Sequence, residues 1–236
     1  MARIDLWFDY ISPYAYFAVF RMKEIAEAYG EQVRLRPVLF AALLDHHGQL
    51  GPAEIPAKRE HTFKDAARYA ALHQLPLQGP AAHPFNPVTA LRCSLPEVAG
   101  ADQAGVVEAL FLGSWGHGGD LGDPESVARI LTEAGYEGAA MVARTRDPAV
   151  KARLREESEA AIARGVFGVP TVDCDGELFW GSDRLDWVAL RIEGRDPLPE
   201  GAAERLLKVP SGATRPGSKR DAPNPGRSGS GDPKAS

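Results

Sequence analysis

The chain has 236 residues, 44% of them hydrophobic and 25% charged, with a formal net charge of −5, values typical of a globular protein. No apolar run reaches the ~18 residues of a membrane span, and the N-terminus lacks a signal peptide's apolar stretch, so we expect a cytoplasmic protein without a membrane partner. The mild acidity argues against a nucleic-acid partner, and two cysteines are too few for a disulfide framework.

The first forty residues predict a β-α-β unit. Ile4 to Phe8 is a short apolar run typical of a buried strand. Ser12-Pro13 is typical of a helix N-cap followed by the first helical position, and Gly30 indicates where that helix ends. Gln32 to Leu39 alternates apolar and charged residues, which indicates a second strand. The most economical arrangement is a right-handed parallel unit.

The middle of the chain predicts helices separated by glycine and proline. The predicted helical segments are 57–74, 87–98, 103–115, 124–134, 137–145 and 147–164. Asp123-Pro124 and Asp147-Pro148 are both typical of an N-cap followed by the first helical residue. The proline-rich stretch 76–87 is predicted to be a connector.

Strand patterns return after Gly165. Val169 to Val172 predicts a strand, Asp175-Gly176 a tight hairpin turn, and Glu177 to Trp180 the returning strand. A final helix is predicted to run to about Ile192. The outer parts of the chain could therefore form one sheet, with the helical block inserted between them.

The last 27 residues differ from the rest in composition. Proline, glycine and serine fill five positions each, and three alanines are the remaining apolar residues. Such a segment buries too little surface to offset its ordering entropy, so we predict a disordered tail over 210–236. Its net charge of +3 leaves −8 on the body, and it supports a polyanion-binding arm only weakly.

The first candidate site is the predicted turn that ends in Ser12. A hydroxyl at a helix N-terminus lies beside unpaired N–H groups and the positive end of the helix dipole, which together stabilise an anion. An ordinary serine N-cap explains the same residue.

Two later turns are candidates as well. Pro170 stands where a strand should begin, which indicates either a cis peptide bond or an edge strand, because proline removes a ladder donor. Asp183 opens the last predicted helix, where it is either a cap or a partner for a ligand ammonium group. The stretch Asp45-His46-His47 contains possible metal ligands, but the side chains of adjacent residues do not converge on one ion. We therefore predict a solvated loop there and no metal site.

Taken together, the three candidates carry a family resemblance. The motifs are Phe8-Asp9-Tyr10-x-Ser12-Pro13-Tyr14-x-Tyr16, Gly165-Val166-Phe167-Gly168-Val169-Pro170-Thr171 and Phe179-Trp180-Gly181-x-Asp183-Arg184-Leu185. In this order they resemble the 2-hydroxychromene-2-carboxylate isomerases, glutathione-dependent relatives of kappa-class glutathione transferases and DsbA oxidoreductases. The resemblance covers roughly residues 3–192.

The resemblance implies an α/β fold, namely a thioredoxin-like domain with an inserted α-helical domain. The expected boundaries are 1–45 and 165–209 for the thioredoxin-like domain and 46–164 for the helical insertion. A homodimer is a further expectation from the family.

The resemblance also implies glutathione as the cofactor. DsbA-like dithiol chemistry needs C-P-x-C at the start of the first helix, whereas this chain has Ser12-Pro13-Tyr14-Ala15, so the sulfur must arrive on a ligand. In the family the serine matching Ser12 hydrogen-bonds the glutathione sulfur, which would make Ser12 a thiolate stabiliser. The remaining implied glutathione-binding residues are Val169, Pro170, Trp180, Gly181, Ser182, Asp183 and Lys58.

The implied reaction converts a chromene carboxylate into trans-o-hydroxybenzylidenepyruvate. The bound thiolate adds reversibly to the ring-opened form, which permits rotation before elimination. The expected substrate-side residues are Gln49, Asn86, Trp115 and Asp45. Two of these residues depart from the family. Gln49 stands where the family often has an asparagine after the glycine, and Asp45 stands where it often has a lysine. A kappa-like transferase acting on other electrophiles and a non-catalytic glutathione-binding protein stay open as alternatives.

Overall fold

The computed structural model describes residues 2–210 and residue 212. The predicted disordered tail, 210–236, therefore lies outside the described residues apart from Pro210 and Gly212. The chain divides into two compact units, Met1–Pro197 and Leu198–Ser236. The second unit contains a short helix, Ala202–Leu207, that we did not predict from the sequence. Among the described residues, no helix has both the length and the apolar character needed to cross a bilayer.

The first unit is built on a four-stranded mixed sheet. Its strands are β1 (Ile4–Phe8), β2 (Val33–Pro37), β3 (Thr171–Cys174) and β4 (Glu177–Trp180), in the order β2-β1-β3-β4. β1 is parallel to β2 and antiparallel to β3, so the ends of the chain share one sheet, as expected. The predicted hairpin is also confirmed: Asp175 and Gly176 both have positive φ, as a type I′ turn requires.

The helices of the first unit fill the rest of the chain. They are α1 (Pro13–Tyr29), α2 (Phe40–His47), α3 (Pro56–Leu72), α4 (Val88–Cys93), α5 (Pro96–Ala99), α6 (Gln103–Phe111), α7 (Pro124–Glu133), α8 (Gly138–Arg144), α9 (Pro148–Arg164) and α10 (Leu185–Ile192). Short 3-10 turns cover Pro52–Glu54, Gly100–Asp102 and Ser182–Arg184, and a π-turn covers Leu112–Gly116.

These helices match the predicted segments closely, with three differences. The segment 87–98 is split into α4 and α5, because Pro96 restarts the helix. The segment 103–115 passes from α6 into the π-turn. The prediction of a loop at Asp45-His46-His47 was wrong: these residues end α2, which Leu43 anchors in the core and Gly48 terminates with a φ of 62°.

The core lies on both faces of the sheet, and β1 divides it. Leu6 and Phe8 point to the larger cluster, which includes residues of α1 and α6, because alternate side chains of a strand face opposite ways. Trp7 points to the smaller cluster, with Leu43 of α2 and Ala161 of α9. Residues 46–164, all of which the structure describes, contain helices and connections but no strand. The bounds of the helical insertion stay a prediction, and the first of them falls inside α2.

A buried ion network ties the sheet to α9. Arg36 of β2 donates from Nε to Glu157 Oε2 at 2.6 Å, and its Nη1 lies 3.4 Å from Asp5 Oδ1. The side chains of Asp5 and Glu157 are only 1% and 3% exposed, so both carboxylates depend on arginine partners. Arg34 also pairs with Asp5, and Arg153 with Glu157.

We expect Arg36→Met to lower the free energy of unfolding by ~2 kcal/mol or more, because it removes one partner from each of two buried carboxylates. The matched control is Arg129→Met, which breaks an exposed pair with Glu133 on α7 and should cost about 1 kcal/mol at most. Urea denaturation of both variants makes the comparison. An equal loss of unfolding free energy in the two variants would show that the buried network stabilises the fold no more than an exposed ion pair does.

Candidate functional site

Ser12 begins α1 and faces a second segment of the chain. Its Oγ accepts a hydrogen bond from the Ala15 backbone N–H at 3.2 Å, so it is the predicted N-cap. The same hydroxyl donates to the Val169 carbonyl oxygen at 3.4 Å. The cap and the candidate anion site are therefore the same group.

Pro170 follows Val169 through a cis peptide bond. The alternative of an edge strand is wrong, because β3 lies between β1 and β4. The register pairs Trp7 with Thr171, which brings the C-terminal end of β1 beside the N-terminal end of β3. The first two candidate turns meet at this end of the two strands.

The third candidate turn is joined to the second. Gly181 N–H donates to the Pro170 carbonyl at 2.9 Å, and Gly181 has a φ of 104° that suits glycine. The Trp180 ring is 54% exposed and lies over Gly168, where an added Cβ would come within 2.6 Å of its Nε1. The centroid of the Phe167 ring lies 4.9 Å from that of Trp180, so the two exposed aromatic rings contact each other near the second turn.

A cleft of about 190 Å³ opens beside this third turn. Ser182 and Asp183 contribute to its lining, with Arg21 of α1 and His73 after α3. The Asp183 side chain is 71% exposed, with Arg184 Nη1 3.4 Å from its Oδ2. An exposed acid next to helix-start donors can bind the ammonium and carboxylate groups of an amino acid.

The turn before Ser12 is held by Asp9, whose carboxyl group is buried. Its oxygens accept hydrogen bonds from the Ile11 N–H at 3.1 Å and the Phe40 N–H at 2.9 Å. Removal from water raises the Asp9 pKa to about 7, although the backbone hydrogen bonds oppose this rise. Asp9 belongs to the first motif, yet its neighbours in sequence do not indicate the contact with Phe40.

Two donors from the helical region hold the carbonyls of the same turn. Trp115 Nε1 donates to the Tyr10 carbonyl at 2.7 Å, and His83 Nε2 lies 2.9 Å from the Ile11 carbonyl. Trp115 is 1% exposed, so its indole N–H makes its hydrogen bond inside the protein, to the turn. Sequence reasoning missed His83, because nothing in a proline-rich connector indicates a partner 72 residues away.

The other predicted binding residues lie on the surface. Lys58 is exposed in the first turn of α3, and Asp45 and Gln49 are exposed at and after the end of α2. Asn86 is exposed and accepts a hydrogen bond from the Val88 N–H through Oδ1 at 3.1 Å. Their binding roles stay predictions.

The chemistry of the turn suits a sulfur anion brought by a ligand. The helix N-terminus and the Ser12 hydroxyl both stabilise a thiolate and lower the pKa of its thiol. The chain's own thiols are different, because burial raises the pKa of Cys93 to about 12 and that of Cys174 to about 11. Neither cysteine lies in the three candidate turns.

Asp9 should make the stability of the fold depend on pH. A carboxyl whose pKa rises on folding contributes stability at low pH, and this contribution is lost as the pH rises from about 4 to about 7. We expect Asp9→Asn, which cannot ionise, to flatten the fall in the free energy of unfolding, which amounts to about 1.4 kcal/mol per pH unit at most. Urea denaturation between pH 5 and 8 measures it.

The control is Asp147→Asn, at the N-cap of α9, which should keep the wild-type slope because asparagine also caps helices. An Asp9→Asn profile parallel to that of the wild type would contradict the assignment.

Comparisons with known proteins identify the fold and the family. A model of the DSBA-like thioredoxin domain matches residues 3–193. The 2-hydroxychromene-2-carboxylate isomerase of Sphingobium xenophagum is 31% identical over 78% of this chain and 95% of its own length. The kappa 1 glutathione S-transferase of Rattus norvegicus is 24% identical over 86% of this chain and 97% of its own length.

A solved structure of a 2-hydroxychromene-2-carboxylate isomerase superposes with a TM-score of 0.72 at 29% identity, covering 86% of this chain and 95% of that one. The expected fold is thereby confirmed as a DsbA-like thioredoxin fold. The chain belongs to the DsbA-like thioredoxin family and, within it, to the family of the 2-hydroxychromene-2-carboxylate isomerases.

Proposed function

We propose that this chain is a glutathione-dependent isomerase of the 2-hydroxychromene-2-carboxylate type. The observation that carries the proposal is the placement of Ser12. Its hydroxyl lies at the N-terminus of α1 and beside the cis Val169–Pro170 bond, in a turn that has no cysteine. The relatives named as isomerases, at 31% identity over most of the chain, support the same activity.

The residues of the three turns fit glutathione. The start of α1 provides backbone donors for the sulfur, and the single Ser12 O–H, which donates to the Val169 carbonyl in this structure, would turn from that oxygen to the sulfur. Val169 lies just before β3, where its backbone can pair with the peptide part of the ligand, next to the exposed Trp180 ring. Gly181, Ser182 and the exposed Asp183 can bind the γ-glutamyl end. Lys58 is our proposed partner for a carboxylate.

When bound, glutathione supplies a thiolate that adds to the conjugated carbon of the ring-opened chromene and later leaves, so that rotation occurs about a single bond. Ser12 keeps this sulfur ionised by hydrogen bonding, and α1 adds the favourable end of its dipole. The buried supports of the turn fix the backbone just before Ser12. Asp45, Gln49 and Asn86 are our proposed substrate-side residues. Trp115, which we also expected there, is buried and instead supports the turn through the Tyr10 carbonyl.

A substrate panel tests the activity directly. We expect the purified chain to convert 2-hydroxychromene-2-carboxylate to trans-o-hydroxybenzylidenepyruvate with glutathione and not without it. Turnover that is independent of thiol would contradict the mechanism. Conjugation of chlorodinitrobenzene without isomerisation would favour a kappa-like transferase, which the 24% identical rat relative supports less strongly. Glutathione binding without turnover of any electrophile would indicate a non-catalytic binding protein.

Ser12→Ala should raise the pKa of bound glutathione and remove most of its thiolate absorbance at neutral pH, because the hydroxyl donor is lost. Ser12→Thr keeps the hydroxyl and should retain the thiolate. Thr132→Ala removes a hydroxyl from α7 and serves as the control. Ultraviolet titration of the glutathione complexes gives the three pKa values. Equal titrations for Ser12→Ala and the wild type would show that Ser12 is only a helix cap.

Asp183→Asn should weaken glutathione binding about tenfold, because an amide replaces the carboxylate that faces the ligand ammonium group. An analogue of glutathione without the α-amino group should bind the variant and the wild type equally, since the lost interaction is absent from both complexes. Calorimetry measures the four dissociation constants, and Glu133→Gln on α7 is the charge-matched control. Equal losses for both ligands would place Asp183 away from the ammonium group.

A homodimer and a cytoplasmic location stay predictions. Sedimentation of the purified chain and fractionation of the source cells test them.

A further inference from the structure

The peptide group between Ile11 and Ser12 is held at both of its polar ends. The Ser12 N–H donates to the Asp9 carbonyl at 3.1 Å. The Ile11 carbonyl oxygen lies 2.9 Å from Nε2 of His83. This peptide group carries the Cα of Ser12, so its orientation sets where the side chain of Ser12 starts.

The surroundings of His83 determine which of its ring nitrogens carries a hydrogen. A carbonyl oxygen only accepts, so Nε2 must carry the hydrogen. The other ring nitrogen, Nδ1, is buried and has no hydrogen-bond partner among the described residues. A proton there would be unsatisfied, and burial accordingly lowers the His83 pKa. The imidazole is therefore neutral, with its single N–H directed at Ile11.

The His83 ring is also fixed in position. The ring centroids of Phe63 and Trp115 lie 5.2 and 5.6 Å away at steep angles. The His83 carbonyl accepts from Arg59 Nη2 at 3.4 Å, and Arg59 in turn covers the Phe63 ring at 4.7 Å. A side chain that is packed against two aromatic rings and tethered through its backbone can hold the Ile11 carbonyl rigidly.

We propose that His83 is a positioning residue for the isomerisation, which fixes the Ile11–Ser12 peptide group and so keeps the Ser12 Oγ within reach of the glutathione sulfur. The buried Nδ1 has no access to substrate, so His83 acts through the backbone of Ile11. The contact also holds the Ile11 oxygen, a partial negative charge, in a fixed direction. Released, this peptide group could rotate and turn that oxygen toward the thiolate. The inference rests on the proposed function of Ser12.

The test compares variants that differ in their ability to reach Ile11. His83→Leu removes the donor. His83→Gln offers an amide N–H at about the distance of Nε2, and His83→Asn offers the same group one methylene shorter. His46→Leu, at the exposed end of α2, is the control. For each variant the measurements are the thiolate titration of bound glutathione, kcat, KM for the chromene and the melting temperature.

We expect His83→Leu and His83→Asn to raise the pKa of bound glutathione and to lower kcat about tenfold with KM nearly unchanged, since small misplacements of catalytic groups cost rate. His83→Gln should restore both quantities, and His46→Leu should match the wild type. If His83→Leu fails to fold, the Gln and Asn pair makes the same comparison with two polar side chains.

Equal thiolate titrations and kcat values for His83→Asn, His83→Gln and the wild type would overturn the inference, as would a His83→Gln variant as impaired as His83→Asn. These outcomes are separable from failure of the proposed function, which is read in the wild-type chain. A wild type that forms no glutathione thiolate contradicts both.

Discussion

The pairing of Trp7 with Thr171 is the constraint on which the site depends. Because β1 and β3 are antiparallel neighbours, the end of β1 and the start of β3 must lie at one edge of the sheet. The chain leaves β1 toward Ser12 and enters β3 from the cis peptide bond at Pro170. The chain between these points contains β2 and the helical block, and it returns to the same end of the sheet.

Several helices, strands and turns could be predicted because short stretches of sequence determine them. The β1 run, the Ser12-Pro13 start of α1 and the Asp175-Gly176 turn each depend on a few adjacent residues. The α2 helix was missed because it buries a single residue, Leu43, and ends in polar side chains that resemble a loop. A short helix held by one anchor has too little periodicity to be recognised.

The supports of the site could not be predicted, because they join residues far apart in sequence. The contacts of His83 with Ile11 and of Trp115 with Tyr10 cross 72 and 105 residues. No pattern of hydrophobicity or turn chemistry records such a partner. The dual role of Ser12 has the same origin: its local sequence is that of a cap, and only the approach of Val169 makes the hydroxyl part of a site.

The donors to the Tyr10 and Ile11 carbonyls have a consequence for engineering and for evolution of the fold. Both come from the stretch between β2 and β3, so the proposed insertion holds the candidate turn in place. A minimal thioredoxin-like domain made by excising residues 46–164 would lose both donors and leave those carbonyls to water. The proposed insertion and the first turn are therefore linked, and grafting Ser12-Pro13 onto a bare thioredoxin domain would transfer the residues without the two donors that hold their backbone.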